Sequence, residues 1–469
     1  MGARGYGRVG VRSLRWLLLG AAVFLGLVTA VSSASAAPLQ VTWMPGFKAP
    51  GTPARLDKVG VLKIGPKRAR NVLVLEPGTS AGSAYFVPLA KWIVAKTPGW
   101  QVWSVERREN LLEDQSVLNL AKTGKVSQIA AFDYYLGYLT DPTITTHFQP
   151  IADSTVGYAR QWGLNVAVQD LRVVIKAARK LGGKVVLGGH SLGGAVVTAY
   201  AAWSFAGKPG ADQLAGLVYD DGGSGFGPTT TTAAAARASL ASLATSTPWL
   251  AFSGVPAPYL GLFSALGSTA ALVAPNQPAI ALGFSLLPAA LKPPVPATNL
   301  GLFGYNVSPV SSKLSFAAQA SVGVLNTSVT PAGWNGAGAL TPIDRYANML
   351  SGTGVNNADG SEWYFPMRLT IDTGAVDEGN ANPAQQVLGV NATLGHKLPR
   401  SLRIYAFGAY GGAAILTAAQ TLAKQSKIPA SQLTLINRHG TYSHNDPAAA
   451  YPNNAFFSGL VPFLKRIAR

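Results

Sequence analysis

Cysteine is absent from all 469 residues. That excludes thiol nucleophiles and thiolate-bound metals, and it leaves the stability of so large a chain to its core rather than to cross-links. Charge is thin as well: Asp, Glu, Lys and Arg together make up 12% of the residues, and the acids number only 20. The Lys and Arg are scattered, and no basic block with interleaved aromatics occurs, which argues against nucleic-acid binding. With five histidines in the whole chain, a general base can come from few places. What the sequence has in quantity is apolar material, at 48%, enough for a large globular core.

The N-terminus reads as a secretory signal peptide over residues 1–36. Arg4, Arg8, Arg12 and Arg15 form a positive region, Trp16 to Val31 an apolar one, and Ala34-Ser35-Ala36 supplies the small residues of a cleavage site. A permanent anchor is the rival, but a spanning helix needs about 20 apolar residues and this run is shorter. Removing residues 1–36 takes away four arginines and no acid, so 38 basic residues become 34 against 20 acidic ones. Such an excess on an exported protein is compatible with transient contact with a lipid surface, although solubility is the simpler account.

The mature chain is organised around Lys184-Val185-Val186-Leu187-Gly188-Gly189-His190-Ser191-Leu192-Gly193-Gly194 and the apolar run that follows it to Trp203. A short β-branched run, a Gly-x-Ser-x-Gly turn and a helix-forming segment are what a nucleophile elbow requires. A Cβ on Gly189 or Gly193 would collide with neighbouring backbone there. Ser191 would stand at a helix N-terminus, where amides and the helix dipole favour a developing oxyanion; a serine that merely caps the helix is the alternative.

Around this turn the pattern is of strands feeding loops. Val59 to Ile64 reads as an early strand, Asn71 to Glu76 as a buried strand, Ala84 to Ala95 as a helix and Gln101 to Glu106 as the next strand, a parallel crossover unit. The loop Pro77-Gly78-Thr79 after the buried strand offers the Thr79 amide as a second oxyanion donor beside that of Leu192, though such loops are also ordinary turns. Residues 111–162 resist reading, apart from a helical stretch near 117–131. Asn165 to Leu181 has helical spacing. Leu214 to Tyr219 is a strand running into Asp220-Asp221-Gly222-Gly223, and the carboxyl ends of strands are where sites assemble in doubly wound sheets. From residue 224 to 398 the chain is rich in Ala, Leu, Pro, Gly and Phe, with the tract Thr229 to Ala236 near its start. It is too apolar for a solvated linker and fits a cap or lid inserted in the core. Asp372, Asp377 and Glu378 form an acidic cluster there, but their spacing matches no calcium loop. Core strands return at Leu402 to Phe407 and Gln432 to Asn437, with a helix over Ala413 to Gln425 between them and another from Ala455 to Ile467 at the end.

This order of parts resembles the α/β-hydrolase fold superfamily over nearly the whole mature chain. Gly189-His190-Ser191-Leu192-Gly193 matches its elbow, Pro77-Gly78-Thr79 its oxyanion loop, and a histidine follows the last core strand. The resemblance implies an α/β fold with a mostly parallel, doubly wound central sheet, divided here into residues 37–223, a cap over 224–398 and a return at 399–469. It also implies a Ser, acid, His order and acyl-transfer chemistry. Ser191 is then the nucleophile, and His444, on a small-residue loop ahead of the final helix, is preferred to His439 as base. The usual acid position, at the end of the strand before the last, holds Phe407-Gly408-Ala409 with no carboxylate. Some relatives carry the acid one strand earlier, which Asp221, just before Gly222-Gly223, fits; Asp220 would alternate to the opposite face if the strand continues that far, so Asp221 is preferred to Asp220 and Asp372.

The reading is therefore a secreted, cofactor-free and metal-free serine hydrolase of lipophilic carboxylic esters: Ser191, His444 and Asp221, with Leu192 and Thr79 as oxyanion donors. Its ligand is a small-molecule or lipid-like ester, with no nucleic-acid partner. An acyltransferase, a polyester or peptide hydrolase on the same fold, a non-catalytic exported binding protein and a membrane-anchored structural protein are the rivals. Oligomeric state is not legible.

Overall fold

Nine strands among the described residues form one sheet, lying side by side in the order Val355–Asn356, Leu39–Pro45, Lys58–Ile64, Trp100–Glu106, Asn71–Glu76, Val185–His190, Gly216–Asp220, Arg403–Gly408 and Leu433–Asn437. The computed structural model describes residues 38–223, 231–252 and 254–469, and Leu39–Arg469 make one compact unit. The signal-peptide reading of residues 1–36, and Thr229 and Thr230 of the threonine-alanine tract, lie outside the described residues.

The chain opens with β1 (Leu39–Pro45) and β2 (Lys58–Ile64), an antiparallel pair. β3 (Asn71–Glu76) runs through the 77–82 loop to α1 (Val87–Lys96) and β4 (Trp100–Glu106). After these come α2 (Ser116–Lys122), α3 (Gln128–Tyr135), α4 (Leu164–Arg179), β5 (Val185–His190) and α5 (Leu192–Ala202). A two-residue ribbon, β6 (Ser204–Phe205) with β7 (Lys208–Pro209), precedes β8 (Gly216–Asp220). The middle of the chain holds α6 (Ala233–Thr245), α7 (Tyr259–Val273), α8 (Asn299–Val307), the small ribbon β9 (Val324–Asn326) and β10 (Gly333–Asn335), α9 (Ile343–Ser351), β11 (Val355–Asn356), α10 (Met367–Thr373) and α11 (Pro383–Leu388). The chain closes with β12 (Arg403–Gly408), α12 (Gly412–Gln425), β13 (Leu433–Asn437), α13 (Asp446–Ala449) and α14 (Ala455–Ala468).

From β4 to β13 every neighbouring pair is parallel, and the antiparallel β1 and β2 extend one edge. Parallel strands need crossovers, and the helices that supply them cover both faces. Hence the strands read as unbroken apolar runs: Val72 and Val74 of β3 face a core shared with α4, α5 and α12, while Leu73 and Leu75 face one shared with α1 and α14. The doubly wound, mostly parallel sheet is the fold class expected above.

A third apolar cluster stands apart from both sheet faces. It joins Leu118, Phe132, Tyr135, Phe148 and Trp162 from the part of the sequence that resisted reading to Leu262, Leu266 and Phe284 from the middle of the chain. The span 224–398 goes to several places. Part of α7 packs in this third cluster, α9 lies over α1, β11 pairs with β1 at the sheet edge, and α10 packs on α4 and α5. No helix among the described residues is long and apolar enough to cross a membrane.

Candidate active site

β5 ends at His190, and the next residue carries the turn. Ser191 has φ 54° and ψ −126°, a conformation a non-glycine residue holds only where its surroundings enforce it. The enforcement is visible in contacts. A Cβ at Gly189 would lie 2.3 Å from Gly193 O, one at Gly193 2.3 Å from Glu76 O, and one at Gly222 2.2 Å from Ser191 O. Only bare backbone fits between β5, α5 and the ends of β3 and β8. Ser191 N–H donates to Asp220 O at 3.2 Å, tying the turn to β8.

β8 delivers the candidate acid. Asp220 and Asp221 are adjacent but part company, because Asp221 leaves the strand at φ 44°. Its carboxylate meets the turn after β12: Oδ1 accepts from Ala409 N–H (2.7 Å) and Gly411 N–H (2.9 Å), and Oδ2 accepts from Tyr410 N–H (3.0 Å). Oδ2 also lies 2.6 Å from His444 Nδ1, with both residues buried. A carboxylate accepts, so the imidazole proton sits on Nδ1 and Nε2 is left as the basic nitrogen. The turn after β12 thus has no acid of its own yet contributes three amides that hold the acid from β8.

The loop of His444 is held from two sides. His190 Nε2 donates to His444 O at 3.0 Å, and Tyr85 O–H donates to Asn445 Oδ1 at 2.8 Å. Burial, followed by the positive charge His444 could carry, pushes the His190 imidazole well below its usual range, so it stays neutral. On the other side, Asn445 Nδ2 donates to Ala317 O and Gln319 O at 3.0 and 2.9 Å. The Asp446 carboxylate accepts from Ser321 N–H at 2.8 Å and from Thr341 O–H at 2.7 Å. Phe316 sets its ring edge-on to His444, with centroids 5.1 Å apart.

Ser191, His444 and Thr79 all line one cavity of about 210 Å³, between the strand ends and α3, α7 and α8. Among the described residues that line it none is Asp, Glu, Lys or Arg; Phe132, Phe263, Leu266, Leu291 and Leu302 are typical. Leu192 is the first residue of α5, so its N–H is one of the amides a helix leaves unused.

The other candidates lie elsewhere. His439 donates its ring N–H to Tyr410 O (3.0 Å) at the surface, and Asp372 takes Arg368 Nε–H (2.7 Å) and Leu164 N–H (2.9 Å). Among the described residues no group of acids and histidines could hold a metal. Asp220 is buried, and neither carboxyl oxygen has a hydrogen-bond partner among the described residues. Burial, then the Asp221 charge, raises it well above the usual carboxylate range. A raised pKa means that the folded protein keeps a proton the unfolded chain has released above about pH 4, so this group's contribution to stability falls as pH rises. Asp220→Asn is therefore expected to melt above the wild type at pH 8, with the gap closing towards pH 4. Thermal melts across this pH range check it.

Sequence reasoning missed Arg107, whose buried guanidinium grips the 77–81 loop, and the cavity wall from α3. Neither had a motif to mark it. No family model and no curated protein matches this chain. Solved structures similar to it include a soluble variant of monoglyceride lipase from Saccharomyces cerevisiae in complex with a substrate analogue, at 10% identity over 93% of this chain and 97% of that one, with a TM-score of 0.39. A thermostable carboxyl esterase from Bacillus coagulans in complex with glycerol (11%, 92% and 100%, TM-score 0.39) and a thioesterase domain from the curacin biosynthetic pathway (10%, 91% and 99%, TM-score 0.41) are others. Similarity this distant carries nothing about chemistry. The fold class stands on the sheet order and the elbow.

Proposed function

We propose that this protein is a serine hydrolase that cleaves carboxylic esters of lipophilic substrates through an acyl-enzyme. The observation that carries the reading is the 2.6 Å contact of His444 Nδ1 with Asp221, behind a cavity whose wall also holds Ser191 on its strained turn. Ser191 Oγ bonds to the acyl carbon while its proton passes to His444 Nε2 and the carbonyl π pair moves onto oxygen. The oxyanion is held by the Leu192 and Thr79 amides, and His444 then gives its proton to the departing alcohol. Water repeats the sequence in reverse to free the acid. Asp221 orients the imidazole and balances its charge.

A fluorophosphonate probe tests this directly. The wild type is expected to be labelled on Ser191 and Ser191→Ala to remain unlabelled; an unlabelled wild type, or equal labelling of both, ends the reading. Export after cleavage near Ala36 belongs to the same proposal, and a mature N-terminus at Ala37 checks it.

Substrate class follows from the cavity wall. A wall with no formal charge among its described residues favours an uncharged, apolar acyl or alcohol portion. Gly267 on α7 lines it, and a Cβ there would meet nothing within 4 Å among the described residues. Leucine at this position gains roughly 0.5–1 kcal/mol of helix propensity, so loss of fold does not confound the outcome. In Gly267→Leu, hydrolysis of long-chain p-nitrophenyl esters is expected to fall about tenfold, as overpacking of about 1–3 kcal/mol implies, with the acetate ester little changed. An acyl-chain-length series reads this out.

A further inference from the structure

Arg107 follows β4, and its side chain is 7% exposed. Among the described residues, all the hydrogen bonds of this side chain go to the 76–81 stretch or to Glu362. Nη1 donates to Glu76 Oε1 (2.9 Å) and Pro77 O (3.1 Å), and Nη2 donates to Gly78 O and Ala81 O (each 2.9 Å). Nε and Nη2 share Glu362 Oε2 at 3.0 and 2.8 Å. Three buried carboxylates thus surround the charge, Glu76 and Glu362 by hydrogen bonds and Glu109 Oε1 at 3.7 Å from Nε, and three carbonyls of the loop turn towards one guanidinium.

The consequence comes from peptide geometry. In a planar trans peptide the carbonyl oxygen and the next residue's amide hydrogen point in opposite directions. Gly78 O, held on Arg107, sets the Thr79 N–H on the far side of the peptide from the guanidinium. The same loop presses on the nucleophile, since a Cβ at Gly78 would stand 3.0 Å from Ser191 Cβ. Backbone bonds hold the far end of the loop, Glu362 N–H to Ser80 O at 2.9 Å and Gly82 N–H to Gly360 O at 3.1 Å, whereas the Gly78 carbonyl itself receives from the backbone only the 3.4 Å contact of Ala81 N–H among the described residues.

We propose that Arg107 is the positioning residue of the oxyanion loop: by holding the carbonyls of Pro77, Gly78 and Ala81, it aims the Thr79 amide at the oxygen of the acyl group that Ser191 attacks. The proposal rests on the acyl-transfer reading above. Arginine suits the task because its planar fork offers five donors in fixed directions. Lysine has three donors on one atom and cannot span three carbonyls and two carboxylates.

The test compares wild type with Arg107→Lys on p-nitrophenyl butyrate, after the active sites of each have been titrated to completion with a fluorophosphonate. Per titrated site, kcat is expected to fall about 10²-fold with KM within about twofold, as for loss of one oxyanion donor. A purely structural role would lower the titratable fraction and leave the rate per site unchanged; that result overturns the proposal. Should Arg107→Lys not fold, Glu362→Gln loosens one anchor of the guanidinium, and kcat per site is expected to fall about threefold to tenfold at constant KM. An unchanged kcat there overturns the proposal equally. A wild type that does not label at Ser191 removes the acyl-transfer reading and this proposal together, whereas a labelled wild type with unaltered variants removes this proposal alone.

Discussion

In Asp221→Asn, kcat for ester hydrolysis is expected to fall by about 10⁴ while the fold survives. The size of the effect follows from which atoms face the carboxylate. Oδ1 accepts two amides, Ala409 N–H and Gly411 N–H, and an asparagine would keep its carbonyl oxygen on them. That puts the new NH₂ where Oδ2 was, against Tyr410 N–H and His444 Nδ1. The imidazole can meet an N–H donor only by moving its own proton to Nε2, and an Nε2 that carries a proton cannot take one from Ser191. Loss of one amide bond costs about 1–3 kcal/mol, which a chain with so large a core tolerates. Steady-state kinetics with a thermal melt separates the two effects: a variant that retains its melting behaviour and its wild-type kcat would remove Asp221 from the mechanism.

Gly222→Ala is expected to do the reverse, costing the fold rather than the rate. The added Cβ would sit 2.2 Å from Ser191 O and 2.6 Å from Ser191 N, both backbone atoms that cannot rotate away. Either β8 parts from the elbow or Ser191 gives up its φ of 54°, and a loss above about 4 kcal/mol is expected. Gly223→Ala is the control, because nothing among the described residues lies within 4 Å of a Cβ there, and it should stay within about 0.5 kcal/mol of wild type. Equal yields and melting curves for the two variants would show that the elbow is not close-packed as described.

Local chemistry explains how much could be read from the sequence. β3, β5 and β8 are continuous apolar runs because they are buried on both faces, and glycines mark the turn because only bare backbone fits there. The preference for Asp221 over Asp220 came from strand alternation, and the two residues do face different surroundings. What escaped depends on contacts between distant residues. Arg107 looks like any other arginine until the loop it grips is in place, 26 to 31 residues away, with Glu362 a further 255 residues along. Residues 111–162 showed little pattern because α2 and α3 are short and pack on the third cluster rather than on the sheet. β11 has two residues, too few for any periodicity.

The bonds from Asn445 and Asp446 to residues 317–321 carry a mechanical consequence. If this stretch swings outward, it takes His444 away from Ser191, so under the acyl-transfer reading proposed above a wider mouth here costs the reaction its base. On that reading 317–321 stays stationary as a fixed jamb.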